Sequence, residues 1–193
     1  MGLLKDLFTT DRQPANITAG VLTGAEIARQ VSLGRISISD YTEKKLNPNS
    51  YNLSCGNTVT IYQEVTVMDL RNPETYSKTA TFEIDPSEGF VCRPGQLYLI
   101  PTAEIIKTNY YEPIITGRSS IGRLGIAIHQ EAGFGDIGFD GKWTLQIKVT
   151  YPTKIYPNMQ IAQVYFLTPC GDLSMLYHGK YQGARGAISS KWV

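Results

Sequence analysis

Two polar residues ten positions apart frame the chemistry open to this chain. In the stretch AGFGDIGFDGKWTLQI, residues 132–147, Asp136 sits on a turn among four glycines and Gln146 falls on a strand-like alternation. A carboxylate can orient or deprotonate a water, whereas an amide hydrogen-bonds in both directions but cannot take up and return a proton at neutral pH. The glycines have two readings: a hairpin that lets a ligand approach the backbone, or a tight turn that carries an exposed acid. Just upstream, TGRSSIGRLGIAIHQ offers the guanidinium fork of Arg118, the hydroxyls of Ser119 and Ser120, and a second guanidinium at Arg123. That set suits a polyanion such as a phosphate chain, and equally reads as a solvated turn. His129 reads as a hydrogen-bonded structural side chain or a gate beside the hairpin, and no second histidine is near enough in sequence to complete a metal site with it. Glu43, Lys44 and Lys45 read as a solvated loop.

Such residues need a rigid frame, and the rest of the sequence predicts one made of strands. One helix is expected: in TGAEIARQVSLGR, Thr23 and Glu26 form a capping box, Leu22, Ile27 and Val31 share a face, and Gly34 supplies the left-handed stop. Strand chemistry covers residues 58–66, 80–84, 97–106, 143–151 and 160–168, runs of Val, Ile, Thr, Tyr and Phe separated by turn signals such as Pro94-Gly95 and Asp140-Gly141. Trp143 and Tyr151 are assigned to the core or to contacts between copies. Short strands with one helix predict an all-β barrel or double-sheet roll. Residues 1–20 read as an N-terminal arm and 21–193 as a single domain, since 193 residues make one sizeable core. A net charge of +1 advertises no nucleic-acid partner, and no apolar run approaches a membrane span. Three scattered cysteines, Cys55, Cys92 and Cys170, have no metal-ligand spacing and read as reduced thiols of a cytoplasmic protein.

The segments LNPNSYNLSCG, GRSSIGRLG, HQEAGFGDIGFDG, IYPNMQIAQVYF and GKYQG, in this order, resemble the dCTP deaminase branch of the trimeric dUTPase superfamily over about residues 21–190. The resemblance implies a distorted β-barrel or jelly roll, a homotrimer with active sites between subunits, and a pyrimidine deoxynucleoside triphosphate (dCTP or dUTP) as ligand. It implies Mg²⁺ carried by the triphosphate, with no metal ligand from protein side chains. By motif it gives phosphate contacts to Arg118, Ser119, Ser120 and Gln163, with the Ser119 and Ser120 hydroxyls also near the base or the attacking water and Ser119 counted among the catalytic residues. Lys180, Tyr181 and Gln182 resemble a C-terminal segment that closes over the phosphates. Asp136 is implied on the sugar 3′-hydroxyl and on a water, and Phe139 against the deoxyribose.

Three departures from the family pattern bear on the site. Deaminase members carry a glutamate at position 146, and an amide there is expected to lower deamination by roughly 10²- to 10⁴-fold. Glu131 stands where a small hydroxyl residue is usual and reads as a rim charge or a relocated base, and Ala184 replaces a polar residue of the closing segment. Three functions follow as expectations. The first is a hydrolase that cleaves dUTP to dUMP and diphosphate better than it deaminates dCTP, with Asp136 positioning water. The second is a dCTP deaminase, monofunctional or bifunctional, silenced by a Glu-to-Gln change at 146, with Arg123 orienting residue 146. The third is a non-catalytic nucleotide-binding protein.

Overall fold

A computed structural model describes residues 20–129 and 132–192. Its strands pair antiparallel throughout, in two five-stranded sheets, one of three strands and one of two. In the first large sheet the Gln160–Thr168 strand is central, flanked by Glu112–Gly117 on one side and by Ser50–Ser54 and Gly20–Val21 on the other. The second runs Ile126–Ala127, Thr144–Val149, Tyr98–Pro101, Thr58–Tyr62, Thr79–Glu83. Tyr51, Leu53, Val164 and Phe166 of the first meet Val59, Ile100, Leu145 and Ile147 of the second in one core, all fully buried. Each such side chain contributes about 1.5–3 kcal/mol of burial. The all-β, double-sheet roll is therefore present.

The helix runs Gly24–Ser32, with Glu26 N–H donating to Thr23 Oγ1 (3.2 Å) and Gly34 in the left-handed region at φ 70°. Its capping box is only half made. The Glu26 carboxylate turns away to accept from Arg29 (2.6 and 2.8 Å) and Gln30 (2.6 Å), because charged and amide donors one turn on compete better than a single backbone N–H. A second, one-turn helix, Ser119–Gly122, forms where a turn or loop is expected.

Two expected strands are cut short. The first ends at Tyr62 because Glu64 takes a left-handed conformation (φ 54°) that turns the chain. The 97–106 run divides into Tyr98–Pro101 and Ile106–Thr108, and the break between them buries Glu104. Its carboxylate accepts from Ser54 N–H (3.0 Å) and pairs with Lys45 Nζ at 2.5 Å. Lys45 is thus no solvated loop residue: a buried acid requires a partner, and Lys45 supplies it from 59 residues away in sequence.

All three cysteines are free thiols; Cys55 and Cys92 are buried and Cys170 exposed. Of the expected N-terminal arm, only Gly20 lies within the described residues, and it pairs with Thr168. Among the described residues, no helix is long and apolar enough to cross a membrane.

Candidate functional site

A pocket of about 410 Å³ opens over the outer face of the second large sheet. Period-2 alternation sets its floor. Leu145 and Ile147 point into the core with no exposure, so Thr144 and Gln146, which alternate with them, face the pocket. Gln146 pairs with Leu99, and directly paired residues share a face, so Leu99 lies beside it on the floor, with Leu97 and Tyr62 adjoining. Among the described residues no hydrogen bond holds the Gln146 amide, and it is half-buried at the pocket wall.

One wall is the glycine hairpin. Asp136 is exposed on it, and Phe139 packs edge-on to Trp143 (centroids 5.3 Å apart) and to Tyr177 (5.8 Å). Two of the glycines, Gly133 and Gly135, are required by the protein's own packing. A Cβ on Gly135 would lie 2.1 Å from the Trp143 ring and 2.6 Å from Pro113 O, and one on Gly133 would lie 2.4 Å from Ile115 O. The absence of side chains at these two positions therefore lets the segment lie against the Glu112–Gly117 strand and the Trp143 indole. His129 joins the same wall through its Nε2 contact to Ala132 O at 2.5 Å, and burial pulls its pKa below the ordinary histidine value. Its Nδ1 is buried with no partner among the described residues. Glu131 lies outside the described residues.

The C-terminal segment forms the roof. Tyr177 N–H donates to Ile137 O (2.8 Å), Gly183 N–H to Asp140 O (3.0 Å), Ile188 N–H to Thr144 Oγ1 (3.0 Å) and Ser190 N–H to the Tyr62 hydroxyl (2.8 Å). Gln182 is spent on this docking: its Oε1 accepts from Asp140 N–H and its Nε2 donates to Gly138 O, both at 2.8 Å. Arg185 reaches the Asp140 carboxylate at 3.1 Å, which Lys107 also meets at 3.3 Å. Tyr181 lines the pocket, whereas the Lys180 ammonium donates to Lys191 O outside it.

The other predicted residues lie elsewhere on the chain. Arg118, Ser119, Ser120, Arg123 and Gln163 are absent from the lining. Arg118 donates to Gln160 O (2.7 Å), and Gln163 donates to Gly117 O (3.0 Å) while accepting from Ser50 Oγ (2.9 Å). Gln163 thereby braces the turn on which Ser119 and Ser120 stand exposed. The site residues thus fall into two groups, and one copy of the chain does not join them.

Comparison with known proteins bears on what these groups serve. Residues 21–168 match the dCTP deaminase-like family. A "dCTP deaminase, dUMP-forming" of Clostridium beijerinckii is 43% identical over 166 residues, 86% of this chain and 92% of the relative. One from Leptospira biflexa is 44% identical over the same shares. This chain belongs to the dCTP deaminase-like family. In fold, it is similar to the 2′-deoxycytidine 5′-triphosphate deaminase of Agrobacterium tumefaciens, with a TM-score of 0.62 at 20% identity over 79% of this chain. It spans about half of that solved chain, 49%. Within this dCTP deaminase-like chain, the pocket gathers Asp136, Phe139, Gln146 and Tyr181, and adds Lys142, Tyr62, Tyr177 and Ile188, which the sequence does not single out. Lys142 alone was within reach of pattern reading, since it shares the parity of Thr144 and Gln146.

Proposed function

We propose that this member of the dCTP deaminase-like family hydrolyses dUTP to dUMP and diphosphate and deaminates dCTP at most weakly. One observation carries the reading: Gln146 faces the pocket, and Asp136 is the only carboxylate among the described residues that line it. Deamination needs a group beside C4 that takes a proton from water and returns it, and an amide does neither. The same amide is well suited to a uracil edge, donating from Nε2 to a carbonyl oxygen and accepting at Oε1 from a ring N–H. Diphosphate cleavage needs no acid at 146. Asp136 would hold the sugar 3′-hydroxyl and orient a water toward the α-phosphorus; the new P–O bond forms as the bond to the bridging oxygen breaks, and diphosphate leaves.

Arg118, Ser119, Ser120 and Arg123 would reach the phosphates from a neighbouring copy in a homotrimer, which accounts for their separation from the pocket of their own chain. Lys180 would add charge at the rim. One exposed carboxylate offers a divalent ion at most a single protein ligand, so Mg²⁺ would enter on the triphosphate, with phosphate oxygens and water as its other ligands. When bound, it neutralises charge on the phosphate oxygens. Such a housekeeping hydrolase of the nucleotide pool would work in the cytoplasm.

The test is to supply Mg²⁺ with dUTP or dCTP and to follow diphosphate and ammonia for the unaltered chain, Gln146→Glu and Asp136→Asn. Diphosphate from dUTP, lost in Asp136→Asn, is expected. Ammonia from dCTP at the rate of an ordinary deaminase would overturn the role given to Gln146. Ammonia gained in Gln146→Glu, with no diphosphate release by the unaltered chain, would favour a silenced deaminase instead.

A further inference from the structure

Among the described residues that line the pocket, Lys142 is the only lysine or arginine. Three features set it apart from the other cations nearby. Its position is fixed: Lys142 N–H donates to Ala184 O at 2.8 Å, and the preceding Gly141 pairs with Ile106. Its side chain is half-buried at the wall. Its ammonium has no carboxylate or carbonyl partner among the described residues, whereas Lys107 meets Asp140, Lys180 meets Lys191 O and Lys191 meets Lys180 O. An ammonium at a pocket wall without a counter-charge of its own is available to an anionic ligand, and Asp136 is the only acidic residue among the described residues of the lining.

Spacing gives the cation a place along the ligand. Lys142 and Gln146 both line the pocket, four residues apart, which on extended backbone separates their Cα atoms by about 13 Å. With Gln146 at the base and Asp136 at the sugar, Lys142 stands at the far end of a deoxynucleoside. We propose that Lys142 is a nucleotide-binding residue that contacts the anionic phosphate chain at its sugar end, from the same copy that binds the base. This rests on the nucleotide reading above. The pocket then carries its own phosphate contact, independent of the Arg118 cluster.

The experiment is calorimetric titration of the full chain with dUMP, with the non-hydrolysable imido analogue of dUTP, and with deoxyuridine, for the unaltered protein, Lys142→Gln and Lys142→Arg. Losing one charge-assisted contact is expected to weaken both nucleotides about tenfold or more in Lys142→Gln, to leave deoxyuridine unchanged, and to be largely restored in Lys142→Arg. Undiminished nucleotide binding by Lys142→Gln would overturn the proposal alone. So would equal loss for deoxyuridine, which would mean a distorted pocket. An unaltered chain that binds neither nucleotide would overturn the nucleotide reading itself, and the role of Lys142 with it.

Discussion

Gly135 and His129 show how single residues on the hairpin wall couple stability to the pocket. A methyl group at Gly135 would have to displace either the Trp143 ring or the Pro113 carbonyl. Gly135→Ala is expected to cost about 1–3 kcal/mol, read as a lower urea midpoint, whereas Gly186→Ala, with open space around it, serves as the control. An unchanged midpoint in Gly135→Ala would contradict the packing. For His129, burial depresses the folded pKa below 6.5. Between the two values the unfolded chain binds more protons, so this residue's contribution is full above about pH 6.5 and is lost as pH falls toward the folded value. Urea midpoints from pH 8 to 5 should fall in the acid limb, and His129→Asn should flatten that fall; an identical slope in the variant would place its cause elsewhere.

The C-terminal roof is anchored by hydrogen bonds beside the Phe139–Tyr177 contact, and it should respond to the loss of them. Gln182→Ala removes the acceptor for Asp140 N–H and the donor to Gly138 O. Trypsin should then cut at Arg185 several-fold faster while the core sheets stay protected, since cleavage follows the population of the undocked segment. Equal cutting rates would mean that the other contacts suffice. The same contrast explains which elements were legible beforehand. The Gln160–Thr168 strand was, at both ends, because its run of Ile, Val, Tyr, Phe and Leu lies between the turn residues Asn158 and Pro169. The break at Glu104 was not, since its cause is a partner at Lys45 that no local pattern connects to it. The roof was legible only as a motif, GKYQG, because polar anchoring leaves no periodic trace. Glycine density in the hairpin was visible, but the sequence does not say whether a ligand or an indole meets the missing side chain.

For the whole molecule, the division of the site residues into two groups makes a prediction about assembly. Asp136→Asn and Arg118→Ala chains, each expected to be inactive as pure populations, should regain dUTP cleavage when unfolded together and refolded as mixed oligomers. In such mixtures some pockets with an intact Asp136 face a neighbour with an intact Arg118. No recovery, or a monomer by light scattering, would rule out a shared site. The family, the roll and the lineage were recoverable from five scattered motifs, but the separation of Arg118 from Asp136 was a matter of folding, invisible in their short distance along the chain.

Docking of the tail on its own barrel also has a thermodynamic reading. Because the segment from Tyr177 to Trp192 is covalently tied beside the surface it covers, closure competes at an effective concentration in the millimolar range rather than at that of a free peptide. A chain ending before Tyr177 should therefore lose turnover, and the matching peptide, added separately, should restore it with a half-maximal concentration equal to that effective concentration divided by the docking constant of the tethered segment.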